Sequence, residues 1–152
     1  MNRTSFLILI VGIILVVMNL PAQSAEFGLR VGSYTDADEL FVGGEMLTPL
    51  TRYTYLNQNV EYVLFENATF MTFNLDVHYD FFFFFRTFMW AGAGLGIQYL
   101  DWEGKNNSST ETGLNFLLGL GFDAVGDATP YLQGKIILGD YDDFVIGIGL
   151  RF

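Results

Sequence analysis

Apolar and polar residues alternate along most of this chain with a period of two, which is the spacing of a β-strand and not of a helix. The pattern is cleanest at residues 143–152, where Phe144, Ile146, Ile148, Leu150 and Phe152 share one face and Gly147, Gly149 and Arg151 share the other. It recurs upstream in seven further segments, at residues 26–34, 39–47, 53–65, 71–79, 87–100, 112–123 and 131–139. In the second of these Leu40, Val42 and Met46 oppose Gly43 and Glu45; in the sixth Leu114, Phe116, Leu118, Leu120 and Phe122 oppose Gly113, Asn115, Gly119 and Gly121. Turn-forming residues separate the segments: 48–51, 66–67, 126–130 and 140–143, with a polar loop at 101–111. The spacing predicts about eight strands, each near the roughly 9–11 residues that a tilted strand needs to cross a bilayer.

Alternation alone does not decide which face meets water. A soluble barrel turns its apolar face inward, a membrane barrel outward. The composition of the polar face decides. It is mostly Gly, Asn, Gln and Thr, with few charges, whereas a solvated face is dense in Lys and Glu. Glycine suits the crowded interior of a small barrel, where side chains fill the lumen. The charges on that face come in both signs: Arg30, Lys135 and Arg151 against Glu45, Glu61 and Asp76, with His78 beside them. Buried charges persist only when paired and hydrogen-bonded, so these residues are expected to form a structural network inside the barrel. Phe41, Leu47, Val63, Phe65, Phe70, Trp90, Leu117 and Ile137 break the pattern by putting apolar groups on the inward face, which argues against a wide aqueous pore.

The first 25 residues are different. One Arg precedes an aliphatic run over residues 6–20, followed by Pro-Ala-Gln-Ser-Ala. Basic, apolar and small-residue zones in that order are those of a secretory signal peptide, with cleavage after Ser24 or Ala25; the run is shorter than the roughly 20 residues of a spanning helix. Residues 1–25 are therefore read as signal peptide and 26–152 as one barrel domain. The chain has no cysteine, which excludes a lipoprotein anchor and disulfide stapling. Its formal charge of −10 argues against nucleic acid as a partner.

Together, the signal peptide and the closing strand with its terminal Phe152 resemble the small porin-like outer-membrane β-barrels of the OmpX and OmpA-transmembrane-domain type. The resemblance implies an eight-stranded antiparallel up-and-down transmembrane β-barrel in the outer membrane of a Gram-negative-type bacterium. Both chain ends and the short turns would face the periplasm and the longer loops the exterior. It further implies contact with outer-membrane lipids and lipopolysaccharide. It also implies recognition of the Phe144, Ile146, Ile148, Leu150 and Phe152 stripe by the barrel-assembly machinery. Tyr53, Tyr55, Tyr79, Phe122, Tyr131 and Phe152 are expected in an aromatic girdle near the periplasmic ends of the strands, and Tyr34, Tyr99, Trp102 and Tyr141 near the outer ends. The run Phe81 to Phe85 falls at the expected turn between the fourth and fifth strands, an unusual composition for a turn.

Candidate chemistry is sparse. His78 and Asp76 share a face, the arrangement that orients an imidazole for catalysis, but no Ser accompanies them. A hydrogen-bonded structural His78 is the expectation, with no catalytic residues and no cofactor. Asp140, Asp142 and Asp143 offer oxygen ligands without the spacing of a calcium loop, so no metal site is expected. The reading is a non-enzymatic structural or interaction barrel; a narrow solute channel and a lipid-modifying enzyme are the alternatives.

Overall fold

The structure, a computed structural model, describes residues 25–84, 87–102, 108–123, 126–139 and 142–152. Residues 1–24, the bulk of the expected signal peptide, lie outside them. Eight antiparallel strands close into a barrel: β1 Glu26–Tyr34, β2 Glu39–Pro49, β3 Thr54–Val63, β4 Ala68–Phe84, β5 Thr87–Trp102, β6 Ser108–Phe122, β7 Thr129–Gly139 and β8 Asp143–Arg151. Each strand pairs with its neighbours in sequence, and β8 returns to pair with β1, so the sheet has no free edge.

The register gives the barrel its shape. Following partners around the wall leads from Thr129 through Arg151, Gly28, Glu45, Asn59, Asn74, Gly96 and Gly113 to Gly139, back on β7 but ten residues from the start. With strands ~4.8 Å apart and a rise of ~3.3 Å per residue, a ten-residue stagger over eight strands tilts them by about 40°. A barrel this narrow has room inside for side chains and little else. Its wall is uneven, with 17, 16 and 15 residues in β4, β5 and β6 but nine in β1 and in β8.

The faces divide as the alternation predicts. Leu29, Leu95, Leu114, Phe116, Ile148 and Leu150 are among a continuous belt of exposed apolar side chains, Leu29 at 67% and Ile148 at 56% exposure. A belt of this extent around a closed barrel is a surface for acyl chains and not for water. Placing a single Trp at Ile148 tests it: Ile148→Trp in bilayers with brominated acyl chains should be strongly quenched, with Trp90 replaced by Phe and Trp102 by Tyr. Emission unchanged by bromination would show that the belt does not touch lipid.

Several expected boundaries move. The expected turn at 48–51 lies slightly later. Thr48 and Pro49 stay in β2, with Pro49 opposite Tyr55, and the chain reverses at residues 50–53, where Thr51 Oγ1 accepts from the Thr54 amide at 3.1 Å. Of the expected polar loop at 101–111, residues 101–102 and 108–111 are strand, Asp101 pairing with Thr69 and Ser108 and Glu111 with Gln98, while residues 103–107 lie outside the described residues. Polar composition there reports exposure to solvent, not loss of backbone pairing. The Phe run is also strand as far as Phe84. Phe82, Phe83 and Phe84 pair with Met89, Phe88 and Thr87 beyond a bulge at Asp80, consistent with the strong strand preference of aromatic residues. Phe85 lies outside the described residues.

Candidate functional site

The lumen holds the candidate site, arranged in three layers. The central layer is polar. Glu61, on β3 and fully buried, is its hub. It accepts from Lys135 Nζ of β7 at 3.1 and 3.2 Å, from Thr72 Oγ1 of β4 at 3.0 Å and from the Tyr34 hydroxyl of β1. The Arg30 guanidinium lies 3.2 Å from it. Glu45 of β2 is a second centre. It accepts from Arg151 Nε at 2.8 Å and Asn57 Nδ2 at 2.7 Å, and Arg30 Nη1 lies 3.7 Å away. Arg30 thus bridges both carboxylates. Each acid is shared by more than one cation, the condition under which ions survive away from water.

Asp76 differs from the expectation. No cation lies within ion-pair distance of it among the described residues. Amides hold it instead: Asn115 Nδ2 at 2.8 Å and Asn59 Nδ2 at 3.2 Å. Asn115 also donates to Asn74, and Asn74 to Asn59 and Thr72. Asn115 stands on β6 and its acceptors on β4, with β5 between them. The bridge is possible because β5 presents Gly94 and Gly96 there. A Cβ at Gly94 would sit 2.2 Å from Asp76 Oδ1, and one at Gly96 would sit 2.8 Å from Asn74 Oδ1.

Apolar layers close the polar one at both ends. At one end Tyr34, Phe41, Val63, Ile137 and Val145 pack together, with Phe65 and Phe70 against them. At the other Trp90, Leu117 and Tyr131 pack with Phe88. Cations tie the layers together: Arg30 stands 5.6 Å from the Phe41 ring centre, and Arg151 stands 4.8 Å from that of Trp90 and 4.4 Å from that of Tyr131. Tyr34, Tyr55 and Tyr131 therefore point into the barrel and not into a membrane girdle. Strand parity could have found this, since Tyr34 follows Arg30 by four residues and Tyr131 precedes Lys135 by four. Tyr53, Tyr79, Phe122 and Phe152 do face outward; Trp102 shares the inward parity of Trp90 and Gln98 and meets Phe65 at the barrel mouth; Tyr141 lies outside the described residues.

His78 pairs with neither Asp76 nor a nucleophile. Its ring lies between those of Tyr55 and Trp90, with centroids at 5.5 and 5.6 Å. Its nearest carboxylate is Asp80, at 3.6 Å, and neither ring nitrogen has a hydrogen-bond partner among the described residues. The expected hydrogen-bonded histidine is thus a packed one. Of the acidic cluster, Asp140 lies outside the described residues. Asp142 accepts from the Gly139 amide at 2.8 Å, and Asp143 from those of Asp36 and Ala37 at 3.0 and 3.3 Å. These carboxylates brace the connections at the barrel's rim. Among the described residues no cluster of His, Asp and Glu is suited to a metal ion.

No protein-family profile matches the chain, and no curated relative matches it. Solved structures do. The N-terminal β-barrel domain of Pseudomonas aeruginosa OprF superposes with a TM-score of 0.72 at 17% identity, over 84% of this chain and 95% of that one. Neisserial surface protein A superposes at 0.63 with 11% identity, over 84% and 92%. The outer membrane enzyme PagL superposes at 0.52 with 13% identity, over 83% and 96%. This is the small outer-membrane barrel fold. Identities this low carry architecture and no residue roles.

Proposed function

We propose that this chain is a sealed barrel of the outer membrane, non-enzymatic, serving envelope integrity or contacts at the cell surface. The observation that carries the reading is the filled lumen. Two apolar layers, built on Tyr34 and on Trp90, stand across the path at either end of a polar layer. The side chains between them are engaged with one another, Lys135 with Glu61, Arg151 with Glu45 and Asn115 with Asp76. A conducting pore needs a continuous wetted path, and these contacts oppose one. An acyl-transfer enzyme needs a nucleophile beside its base; His78 sits between two aromatic rings instead.

In this reading the exposed stripe of Phe144, Ile146, Ile148 and Leu150 on β8, continued by Phe152, meets outer-membrane lipid in the finished barrel. The same stripe meets the barrel-assembly machinery during insertion. The end bearing the β1–β2 and β5–β6 connections faces outward, towards lipopolysaccharide. Planar bilayers test the sealed lumen. The wild-type barrel should give no resolved conductance steps, and removing the lower layer with Trp90→Ala and Tyr131→Ala together should introduce them. Steady single-channel steps from the wild type would instead favour the solute channel. Lipid A of unchanged mass with and without the gene would support the absence of lipid-modifying activity.

A further inference from the structure

One side-chain amide stands on the lipid-facing belt. Gln58 lies in the middle of β3, between the buried Asn57 and Asn59 and in phase with the exposed Val60 and Tyr62. Its ladder partners are Met46 of β2 and Leu75 of β4. The other amides of the described strands, on Asn57, Asn59, Asn74, Gln98, Asn115 and Gln133, are buried in the lumen. Gln58 Oε1 and Nε2 are covered by neighbouring side chains, and neither has a hydrogen-bond partner among the described residues. Thr48 Oγ1, one diagonal position away on β2, also lacks one. Hydrocarbon offers no partner either, and an unpaired polar group is costly there. The wall dips beside this amide. Gly44 is two positions from Met46 on the same face of β2, and a Cβ there would find nothing nearer than the Gly28 carbonyl oxygen at 3.8 Å.

We propose that this face of β2 and β3 is where two copies of the chain meet in the membrane, with the two Gln58 side chains bonded to each other across a two-fold axis along the membrane normal. The chemistry selects a second copy as the occupant because the open groups are self-complementary. Rotation about its side-chain bonds turns the amide outward. Nε2 of each copy then donates to Oε1 of the other, and one reciprocal pair satisfies the groups left open on both. A contact in which one patch meets itself is the isologous kind that closes a dimer. Gly44 lets the two walls approach, the use that membrane interfaces make of small residues, with polar side chains as the glue. Met46, unbranched and adaptable, fills the space around the amides. Strands tilted by about 40° cross at about 80° when two such walls meet about that axis, the orthogonal arrangement of packed sheets. The proposal rests on the belt meeting lipid and not on the sealed lumen, so the conductance result leaves it standing or falling by its own test.

The experiment uses the barrel in phosphatidylcholine vesicles. The chain has no cysteine, so Glu66→Cys in the exposed β3–β4 turn supplies a single thiol for a donor or an acceptor dye. Energy transfer between mixed labelled copies is followed as lipid is added. It should rise saturably with protein per lipid, above the level of non-interacting labels at the same surface density. Gln58→Leu should need about tenfold more protein per lipid to reach the same transfer, the order expected for a hydrogen-bonded pair between membrane segments. Gly44→Leu keeps the amide but fills the recess, and should weaken association as well. Leu132→Ala, on β7 at the opposite wall, should change nothing. Heat-modifiable migration on gels checks that each variant is folded. The parent measurement needs no substitution in the contact face, so it decides even where a variant misfolds. Transfer in the parent at the non-interacting level would overturn the proposal. So would a parent dimer that Gln58→Leu leaves undiminished, since the amide would then be satisfied within one chain, by Thr48, and the copies would meet elsewhere.

Discussion

Glu61→Gln should be the most damaging single substitution within the polar layer, lowering stability by about 3–5 kcal/mol, the cost of stranding a buried charge partner. The carboxylate has no exposure to solvent and answers Lys135 and Arg30 together. Gln keeps the shape, and its one carbonyl oxygen can still accept from Thr72 and Tyr34 in place of Oε2, but its amide nitrogen then stands in place of Oε1 and accepts from neither Lys135 nor Arg30. What is lost is the negative charge facing two cations that cannot reach water. Arg30 retains Glu45 at 3.7 Å, whereas Lys135 retains no ion-pair partner among the described residues. Urea titration of the barrel in lipid vesicles, followed by tryptophan emission, reads the loss. Adding Lys135→Met to Glu61→Gln should recover more than half of it, because the stranded ammonium is removed. A single-variant loss under about 1 kcal/mol, the range of solvated surface pairs, would mean that water enters the layer and that the lumen is not dry.

The fold could be read from the chain because a two-residue period runs along each strand, broken in β4 by the bulge at Asp80. Leu114 and Phe116 face out and Asn115 faces in for a reason contained in three adjacent letters. The inward position of Arg30, Glu45, Glu61 and Lys135 follows from the same parity. Partner choice does not. Parity groups Asp76 with the acids that meet cations, but the stagger of the sheet sets which residues share a level, and stagger is a property of the whole circuit. Asn57 lies opposite Asp76 and Asn59 opposite Asn74, while Asn115 reaches over from two strands away across the gap at Gly94 and Gly96. Tyrosine misleads for a different reason: a ring with a polar tip suits a membrane interface and a buried hydrogen bond equally. For Tyr34 and Tyr131 strand parity, not residue type, carried the answer. Strand ends are least legible, because Phe82 to Phe84 and Ser108 to Glu111 pair through backbone groups that every residue type possesses.

Gly32→Ala should prevent barrel closure. Gly32 lies on β1 at the seam, opposite Gly147 of β8 and Phe41 of β2. A Cβ there would stand 2.0 Å from the Ile146 carbonyl oxygen, 2.6 Å from Phe41 Cε1 and 2.7 Å from Gly147 Cα. Two of these three are backbone atoms, so no rotamer change relieves the overlap. The wall itself has to open where β1 meets β8, which is the last ladder a chain in this order can form. The neighbouring glycine provides the contrast. Gly44 on β2 faces the belt, and a Cβ there would find its nearest atom, the Gly28 carbonyl oxygen, 3.8 Å away. Gly44→Ala should therefore fold as the parent does. Heat-modifiable gel migration after detergent refolding distinguishes the two. The parent and Gly44→Ala should run as compact species until boiled, while Gly32→Ala should run as unfolded chain at every temperature. A compact, heat-modifiable Gly32→Ala would show that β1 and β8 do not meet at this register.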